Sequence, residues 1–485
     1  MVQFDKFFSP GSLVFLGASA DPGKWGYRIL SNILMGGYQG KIYPVNPKGG
    51  EILGLPVYAS VASVPGTPDL AIIVVPPTGI VEAIQDCVDR GVKSGVVITA
   101  GFAETGRRGA NLQQRMLETA RKGGMRLIGP NCFGILSPSH RLFAQMPPIF
   151  PPPGEIAVVS QSGNVGGTIA RRAMALNFGI SRLVSTGNEA DLHAEDFIEF
   201  TGWDELTRVI LAYIEGFKDG RRFFQTAQKV SLAKPIVLVK VGETEAGASA
   251  ARSHTASLSG SSAVFEGICR QAGIIKVQNL QELMNVGYGF LCHPLPRGRR
   301  VGIATLGGGW GVLAADACAR LGLEVVKLSE EVIRELDSFL PGWWSRNNPV
   351  DLVAGSPDNI LRAIEVLAKY EQTDSVISLG VPFPRISRAY LTLPESGIKK
   401  AHRGIVEHYV HAFGQIREIS RKYNKPVIIA ADLFTPAGDR ALEQEIMRSI
   451  AVERSVCYSM PHEAAMVLSA MAGYSEFVAG IKGNR

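Results

Sequence analysis

Three times in this chain a short aliphatic run ends in a small or glycine-rich turn and is followed by an amphipathic or alanine-rich stretch: Ser12–Leu16 before Gly17, 155–159 before Ser160, and Val301–Thr305 before Leu306. Runs that are apolar at successive positions suit strands buried on both faces, and the intervening stretches suit the helices that bury them. The pattern predicts an α/β protein built from parallel sheets with helices on both sides. In the first unit it places strands at 12–16, 41–45, 70–75, 95–99 and 126–128, with helices near 25–35, 78–90 and 109–122. That arrangement is Rossmann-like, doubly wound. Units two and three read as a degenerate internal repeat of strand, glycine turn and helix, each with a later polar turn: Gly187-Asn-Glu-Ala-Asp191 in one and Asn348-Pro-Val-Asp-Leu352 in the other.

Two stiff stretches punctuate the units, MPPIFPPPG at 146–154 and HPLPRGRR at 293–300. Proline there cannot continue a helix or a central strand. Domains are therefore expected at 1–147, 148–297 and 298–485. The length of 485 residues accommodates three domains of ordinary size, and 46% hydrophobic against 19% charged residues is a globular composition. A net charge of +6, without a basic block, argues against nucleic acid and is compatible with a polyanionic small molecule. Six cysteines without a CxxC pair predict free thiols, and neither a signal peptide nor an uninterrupted membrane-length apolar run is evident. A cytoplasmic protein without a membrane partner is expected, and no metal site is expected in this chain.

Ligands of doubly wound sheets bind beyond the carboxyl ends of the strands. The turn Gly17–Gly26 opens a helix and should offer backbone N–H groups to an anion, but it is not GxGxxG. The second strand runs into Lys48 without the acid that would hold an adenosine ribose, which weakens an NAD reading; Lys48 suits a phosphate on the ribose, as in coenzyme A or NADP, or is equally a solvated surface lysine. Val75-Pro76-Pro77, the Thr99–Phe102 stretch and the Asn131 turn also follow strand ends, and plain turn chemistry explains them equally well. Ser160-Gln161-Ser162-Gly163 is a further helix-start anion site; GxSxG is absent, so a Ser162 hydrolase nucleophile is disfavoured. Phe102, Phe133 and Trp310 are either packing residues or walls of a ligand pocket.

Residues 241–262, VGETEAGASAARSHTASLSGSS, hold almost nothing large and apolar. Such a segment cannot offset its ordering entropy by burial, so a mobile surface loop is predicted. It carries His254, which titrates near neutrality and can act as a nucleophile; the alternative is a solvated histidine without a role.

SHTASLSG around His254, GPNCFG, SQSGNVGG, and GGGWG followed by NPVDL occur in an order that resembles the α subunits of NDP-forming acyl-CoA synthetases, in the succinyl-CoA synthetase superfamily, over essentially the whole length. The resemblance implies a CoA-binding domain followed by two flavodoxin-like, succinyl-CoA ligase-like α/β domains. It implies the reaction acyl-CoA + phosphate + NDP ⇌ carboxylic acid + CoA + NTP through an acyl phosphate and a phosphohistidine at His254, with Glu215 fixing the imidazole tautomer. Phosphate would rest at Ser160, Gln161, Ser162 and Gly163, and at Gly307, Gly308, Gly309 and Gly311. Coenzyme A would be held by Gly17, Ala20, Asp21, Pro22 and Gly23, by Lys48, by Val75, Pro76 and Pro77, and by Ile98, Thr99 and Ala100; Ala100 stands where succinate-specific relatives carry an acid. Asn131, Asn188, Asn348 and Asp351 belong to the accompanying turns. An ATP-grasp segment is not evident, so the resemblance implies a separate ATP-grasp β subunit that binds ADP or ATP with Mg2+, in an α2β2 assembly. Two other classes stay open: a non-catalytic CoA or acyl-CoA sensor, and an NADP-dependent oxidoreductase.

Overall fold

The computed structural model describes residues 4–247, 262–352, 359–382, 394–433, 435 and 439–483. The chain divides into two compact units, residues 1–280 and 281–485.

The first unit holds two large sheets. In one, Lys41–Val45, Ser12–Leu16, Leu70–Ile73, Ser94–Val97 and Arg126–Ile128 lie side by side, all parallel. In the other, Ile275–Val277, Ile236–Lys240, Val209–Ile214, Pro153–Ser160 and Ile180–Ser185 are parallel, and Gly134–Ser137 and Leu142–Gln145 extend the edge as an antiparallel hairpin. The second unit carries Glu324–Val325, Arg300–Thr305, Ser375–Leu379, Val427–Ala430 and Cys457–Tyr458, with Val350–Asp351 also pairing Arg300–Thr305. Numbering the main parallel strands of each sheet in chain order gives 2-1-3-4-5 every time. All three sheets thus share the flavodoxin-like order and have a switch point between strands 1 and 3.

The physical cause is the one read from the sequence. Leu13, Val14, Phe15, Val158, Val159, Ile303 and Ala304 are essentially inaccessible, as strands covered on both faces require. In the first unit one apolar cluster runs from Phe7, Phe8, Leu13 and Phe15 to Val159, Ile210 and Leu238, so its two sheets share a core. Stacked and edge-on rings of Phe4, Phe8, Phe197 and Phe200 stitch the N-terminal helix Asp5–Phe8 to helix Ala194–Trp203.

Strands Ser12–Leu16 and Lys41–Val45 and helix Trp25–Met35 occur where the pattern predicts them. The hairpin of Gly134–Ser137 and Leu142–Gln145 does not follow from it, because two four-residue runs show too little periodicity. That hairpin pairs with the second sheet although it precedes residue 147, and strand Pro153–Ser160 starts inside the expected 146–154 linker. In the second unit one helix, Glu395–Tyr423, runs for 29 residues. Helix Pro461–Gly483 contains a window long and apolar enough to cross a membrane; Ala464, Ala465, Val467, Leu468 and Met471 of that helix are buried inside the unit, as in a core helix.

All six cysteines (Cys87, Cys132, Cys269, Cys292, Cys318 and Cys457) are free thiols.

Candidate functional site

The switch point of the first sheet is shaped by backbone. Gly17 has φ +90, a conformation that favours glycine, and a Cβ on Gly26 would lie 2.0 Å from the Gly17 carbonyl oxygen. The turn can therefore fold tightly onto the start of helix Trp25–Met35. The Asp21 carboxylate accepts from Gly23 N at 2.8 Å, and Asn46 Nδ2 donates to Ala18 O at 2.7 Å, which pins the turn to the neighbouring strand end.

Beyond these strand ends lies a cleft of about 1220 Å³, wholly within the first unit. Of the expected coenzyme A positions, Gly17, Gly23, Val75, Pro76, Ile98, Thr99 and Ala100 line it, whereas Ala20, Asp21, Pro22, Lys48 and Pro77 do not. Ala20, Asp21, Pro22 and Lys48 are exposed. Sequence reasoning missed Lys24, Trp25 and Asn46 on one wall and Glu82 and Asp86 on another. Two carboxylates facing this cleft carry no sequence signal, since on helix Ile80–Asp89 they read as an ordinary solvated face. Burial beside Glu82 and Asp89 raises the Asp86 carboxyl above its ordinary value.

The same cleft continues to Asn131, Phe133, Gln161, Ser162, Gly163 and Asn188. Phe133 is thus a wall, while Phe102 is core. The Asn131 and Asn188 turns interlock: Asn131 Nδ2 donates to Asn188 Oδ1 at 3.2 Å, and Asn188 N donates to Pro130 O at 2.9 Å. Asn188 Nδ2 also donates to Glu104 Oε2 at 2.5 Å, and Glu104 Oε1 accepts from Gly101 N at 2.6 Å. Burial opposes the charge on Glu104, but these hydrogen bonds prevail and hold its carboxyl below the usual range.

Helix Gly163–Ala175 starts at this cleft. Ser162 occupies its cap position without a capping bond from its side chain, so the first-turn N–H groups keep their capacity for an anion. Ser160 Oγ is committed to Ser162 O at 2.6 Å. The Gln161 side chain is turned into the protein. Its Oε1 accepts from Glu215 N at 2.5 Å and Gly216 N at 3.0 Å, and its Nε2 donates to Gly216 O at 2.7 Å and Glu189 Oε2 at 3.0 Å. Gln161 N donates to Tyr213 O at 3.1 Å, so neither its side chain nor its backbone N–H is left for a phosphate, and the expected Gln161 contact is not supported.

Glu215 follows strand Val209–Ile214 at the switch point of the second sheet. It is 4% exposed, and its Oε2 has no hydrogen-bond partner among the described residues. A buried carboxylate oxygen without a donor is costly and calls for one. Val241 N donates to Ile214 O at 3.1 Å, so the segment bearing His254 leaves its strand next to Glu215. Its two roots are tied: Ser262 Oγ donates to Glu243 Oε1 at 3.1 Å, and Lys276 Nζ reaches the same oxygen at 2.7 Å. His254 itself lies outside the described residues.

In the second unit, helix Gly308–Arg320 starts after Gly307, again without a side-chain cap, and Gly309 and Gly311 lie in its first turn. Asn348 is a framework residue: its Oδ1 accepts from Ile303 N, and its Nδ2 donates to Val301 O and Val326 O, each at 2.9 Å. The Asp351 Oδ2 would lie 2.8 Å from a Cβ on Gly308, so a carboxylate sits beside this helix start. Register sets Asp351 opposite Thr305 as it sets Ser185 opposite Ser160. The two polar turns of the repeat therefore do not correspond position for position: Asn348–Asp351 overlaps a strand end, whereas Gly187–Asp191 lies beyond one. Among the described residues no group of three His, Cys, Asp or Glu could hold a metal ion.

Three family models match in order: a CoA binding domain over 12–138, a succinyl-CoA ligase like flavodoxin domain over 153–290, and a Ligase-CoA domain over 301–432. The chain is 40% identical over 381 residues to the acetate–CoA ligase (ADP-forming) II subunit alpha of Pyrococcus furiosus, covering 78% of this chain and 82% of that one. It is also 40% identical over 344 residues to the acetate–CoA ligase (ADP-forming) of Methanocaldococcus jannaschii, covering 71% of this chain but spanning only 48% of that longer relative. The acetyl-coenzyme A synthetase 1 of Ca. Korarchaeum cryptofilum, solved with phosphate and ADP, superposes with a TM-score of 0.86 at 32% identity, over 100% of this chain and 99% of that one. The chain belongs to the NDP-forming acyl-CoA synthetases, in the family of the ADP-forming acetate–CoA ligase α subunits.

Proposed function

We propose that this chain is the acyl-transferring and phosphoryl-carrying subunit of an ADP-forming acyl-CoA ligase. The observation that carries the reading is the continuity of one cleft: it runs from the Gly17 turn to the uncapped helix start at Ser162–Gly163, in the unit that also roots the His254 segment beside Glu215. An acyl-CoA lying along it would bring its thioester toward that helix start. Phosphate held there by backbone N–H groups attacks the thioester carbonyl, the C–S bond breaks, and coenzyme A leaves as a thiolate that takes up a proton. The products are an acyl phosphate and free CoA. An imidazole nitrogen of His254 then attacks phosphorus, the carboxylate leaves, and a phosphoramidate remains. The Glu215 carboxylate accepts from the other ring nitrogen, which fixes the tautomer and stabilises the cation that develops. Transfer to ADP regenerates His254 and gives ATP.

The Glu215 Oε2, without a partner among the described residues, supports this role as an acceptor for a donor. Helix Gly308–Arg320 is the second phosphate rest in the proposal, on the strength of its repeated turn. The nucleotide step belongs to a separate ATP-grasp subunit binding Mg2+ with ADP or ATP, a reading supported by the name "subunit alpha" of the Pyrococcus relative. An α2β2 assembly, cytoplasmic location and the three-domain division 1–147, 148–297 and 298–485 are proposed with it.

The test is to incubate the full chain with acetyl-CoA and radiolabelled phosphate. Acid-labile label is expected on His254 and absent from His254→Asn. Label retained by His254→Asn, or absent from the wild type with acetyl-, branched and aromatic acyl-CoAs alike, would overturn the reading. The sensor alternative predicts binding of acyl-CoA without any label.

A further inference from the structure

We propose that Gln161 and Glu189 are positioning residues that hold the Glu215–Gly216 backbone, and through it the Glu215 carboxyl, in place for the phosphohistidine step; this rests on the roles given to Glu215 and His254 above. The Gln161 amide uses both acceptor positions and both donors, so it is fully satisfied. Its orientation is determined: a flipped amide would set its NH2 group against the N–H groups of Glu215 and Gly216. Glu189 anchors the far side. Its Oε1 accepts from Thr186 Oγ1 at 2.8 Å and Ala194 N at 2.9 Å, leaving Oε2 for Gln161. Glu189 is buried at φ +54, a left-handed conformation that is strained for a non-glycine residue. The turn is held there by Asn188 N on Pro130 O and Ala190 N on Gly129 O, at 2.9 and 3.0 Å.

The internal repeat separates this role from simple framework. Thr305 pairs with Leu379 as Ser160 pairs with Tyr213, so Leu306 and Val381 occupy the register positions of Gln161 and Glu215. The second unit keeps the hydroxyl that grips the turn, Thr305 Oγ1 on Gly307 O at 2.8 Å, yet the amide and the acid are both replaced by apolar side chains. The fold stands without the polar bridge; the bridge accompanies the carboxyl.

Burial pushes the Glu189 carboxyl up to about 7, with Glu195 adding to the rise and Thr186, Gln161 and His193 opposing it. The charged or titratable groups around it are His193, Glu195 and Asp196 at the start of helix Ala194–Trp203, and Glu215 across Gln161. Once protonated on Oε2, Glu189 presents a donor to the Gln161 NH2 group, and the bridge is lost. The proposal therefore predicts that Glu189 adds a second ionisation to the acid limb of the His254 nucleophile, which makes that limb steeper.

The experiment is single-turnover phosphorylation of the full chain by acetyl-CoA and labelled phosphate, across pH. Gln161→Leu and Glu189→Gln are expected to lower the maximal rate on the order of 10-fold or more, with the half-saturating acetyl-CoA concentration within about twofold of wild type. Glu189→Asp should recover part of the rate, and Glu189→Gln should keep only the shallower acid limb of the His254 nucleophile. Wild-type rates in both variants, while Glu215→Gln and His254→Asn fail to label, overturn this proposal and leave the ligase reading intact. Normal labelling of Glu215→Gln and His254→Asn overturns the reading itself. A rate loss matched by weaker acetyl-CoA saturation and a lower melting midpoint marks a collapsed cleft and also overturns the proposal. Should Gln161→Leu or Glu189→Gln not fold, Glu189→Asp decides: an intermediate rate with a shifted limb supports the bridge, and wild-type behaviour rejects it.

Discussion

The glycine turns at Ser160–Gly163 and Thr305–Gly308 are built to one plan and furnished differently. Both follow strand 1 of a 2-1-3-4-5 sheet, both have a hydroxyl bonded to the carbonyl two residues on, and both start a helix without a side-chain cap. A Cβ on Gly166 would lie 3.2 Å from Ser160 Cβ, and one on Gly311 would lie 3.1 Å from Thr305 Cγ2, so even the close approach of helix to strand is repeated. The first turn has Gln161, Glu189 and Glu215 around it and opens onto the large cleft. The second has Leu306, Val381 and the Asp351 carboxylate. Topology therefore supplies an anion-suited helix start wherever strand, glycine and helix recur, and the side chains at the neighbouring strand end decide what chemistry it can support.

The largest expected contrast is at the paired strand-end positions. Glu215→Gln should slow His254 phosphorylation about 100-fold or more at nearly unchanged stability, as loss of a proton-handling partner does. Val381→Ala should leave the rate alone and cost about 2 kcal/mol in urea denaturation, because it empties a buried apolar site. A reversal of that pattern would break the comparison. Next come the helix starts themselves. A Cβ on Gly163 would lie 2.7 Å from Phe133 Cβ, a wall that cannot yield, whereas on Gly308 it would meet the movable end of Asp351. Gly163→Ala is expected to destabilise by about 1–3 kcal/mol and Gly308→Ala by under about 0.5, read from denaturant midpoints.

The last contrast is a slope with pH rather than a change at a single condition. Burial raises the folded-state Glu189 carboxyl from 4.5 to about 7. Between those values the folded chain keeps a proton that the unfolded chain has released, so the stability present below about pH 4.5 is lost as pH rises through about 7. The urea midpoint should fall over that window, and Glu189→Gln should flatten the fall. An unchanged slope in the variant would show that the carboxyl ionises at its ordinary value despite burial.

Much of this was legible in residue order. Continuous aliphatic runs such as Leu13–Leu16 and Val301–Thr305 read as doubly covered strands because they are too short for helices and end in turns marked by Gly17, Gly163 and Gly308. The resemblance carried His254 and Glu215 as a pair before any geometry, and the family comparison agrees with the fold and activity class it implied. Less legible was which residues of a motif face the ligand. Ala20, Pro22 and Lys48 belong to the resembling stretches yet stay outside the cleft, while Trp25, Asn46 and Glu82 line it.

Sequence alone determined the strand-turn-helix rhythm, the α/β class and the family, because hydrophobic periodicity and glycine placement are local and survive without a partner in view. Only tertiary structure decided that Gln161 turns inward, that Glu189 reaches it from 28 residues away, and that Glu215 emerges buried with an oxygen unpartnered among the described residues. Those facts depend on strand order. Val209–Ile214 lies beside Pro153–Ser160 rather than beside Ile180–Ser185, and that adjacency, set by burial of both sheet faces, brings an amide, an acid and a helix start to one point.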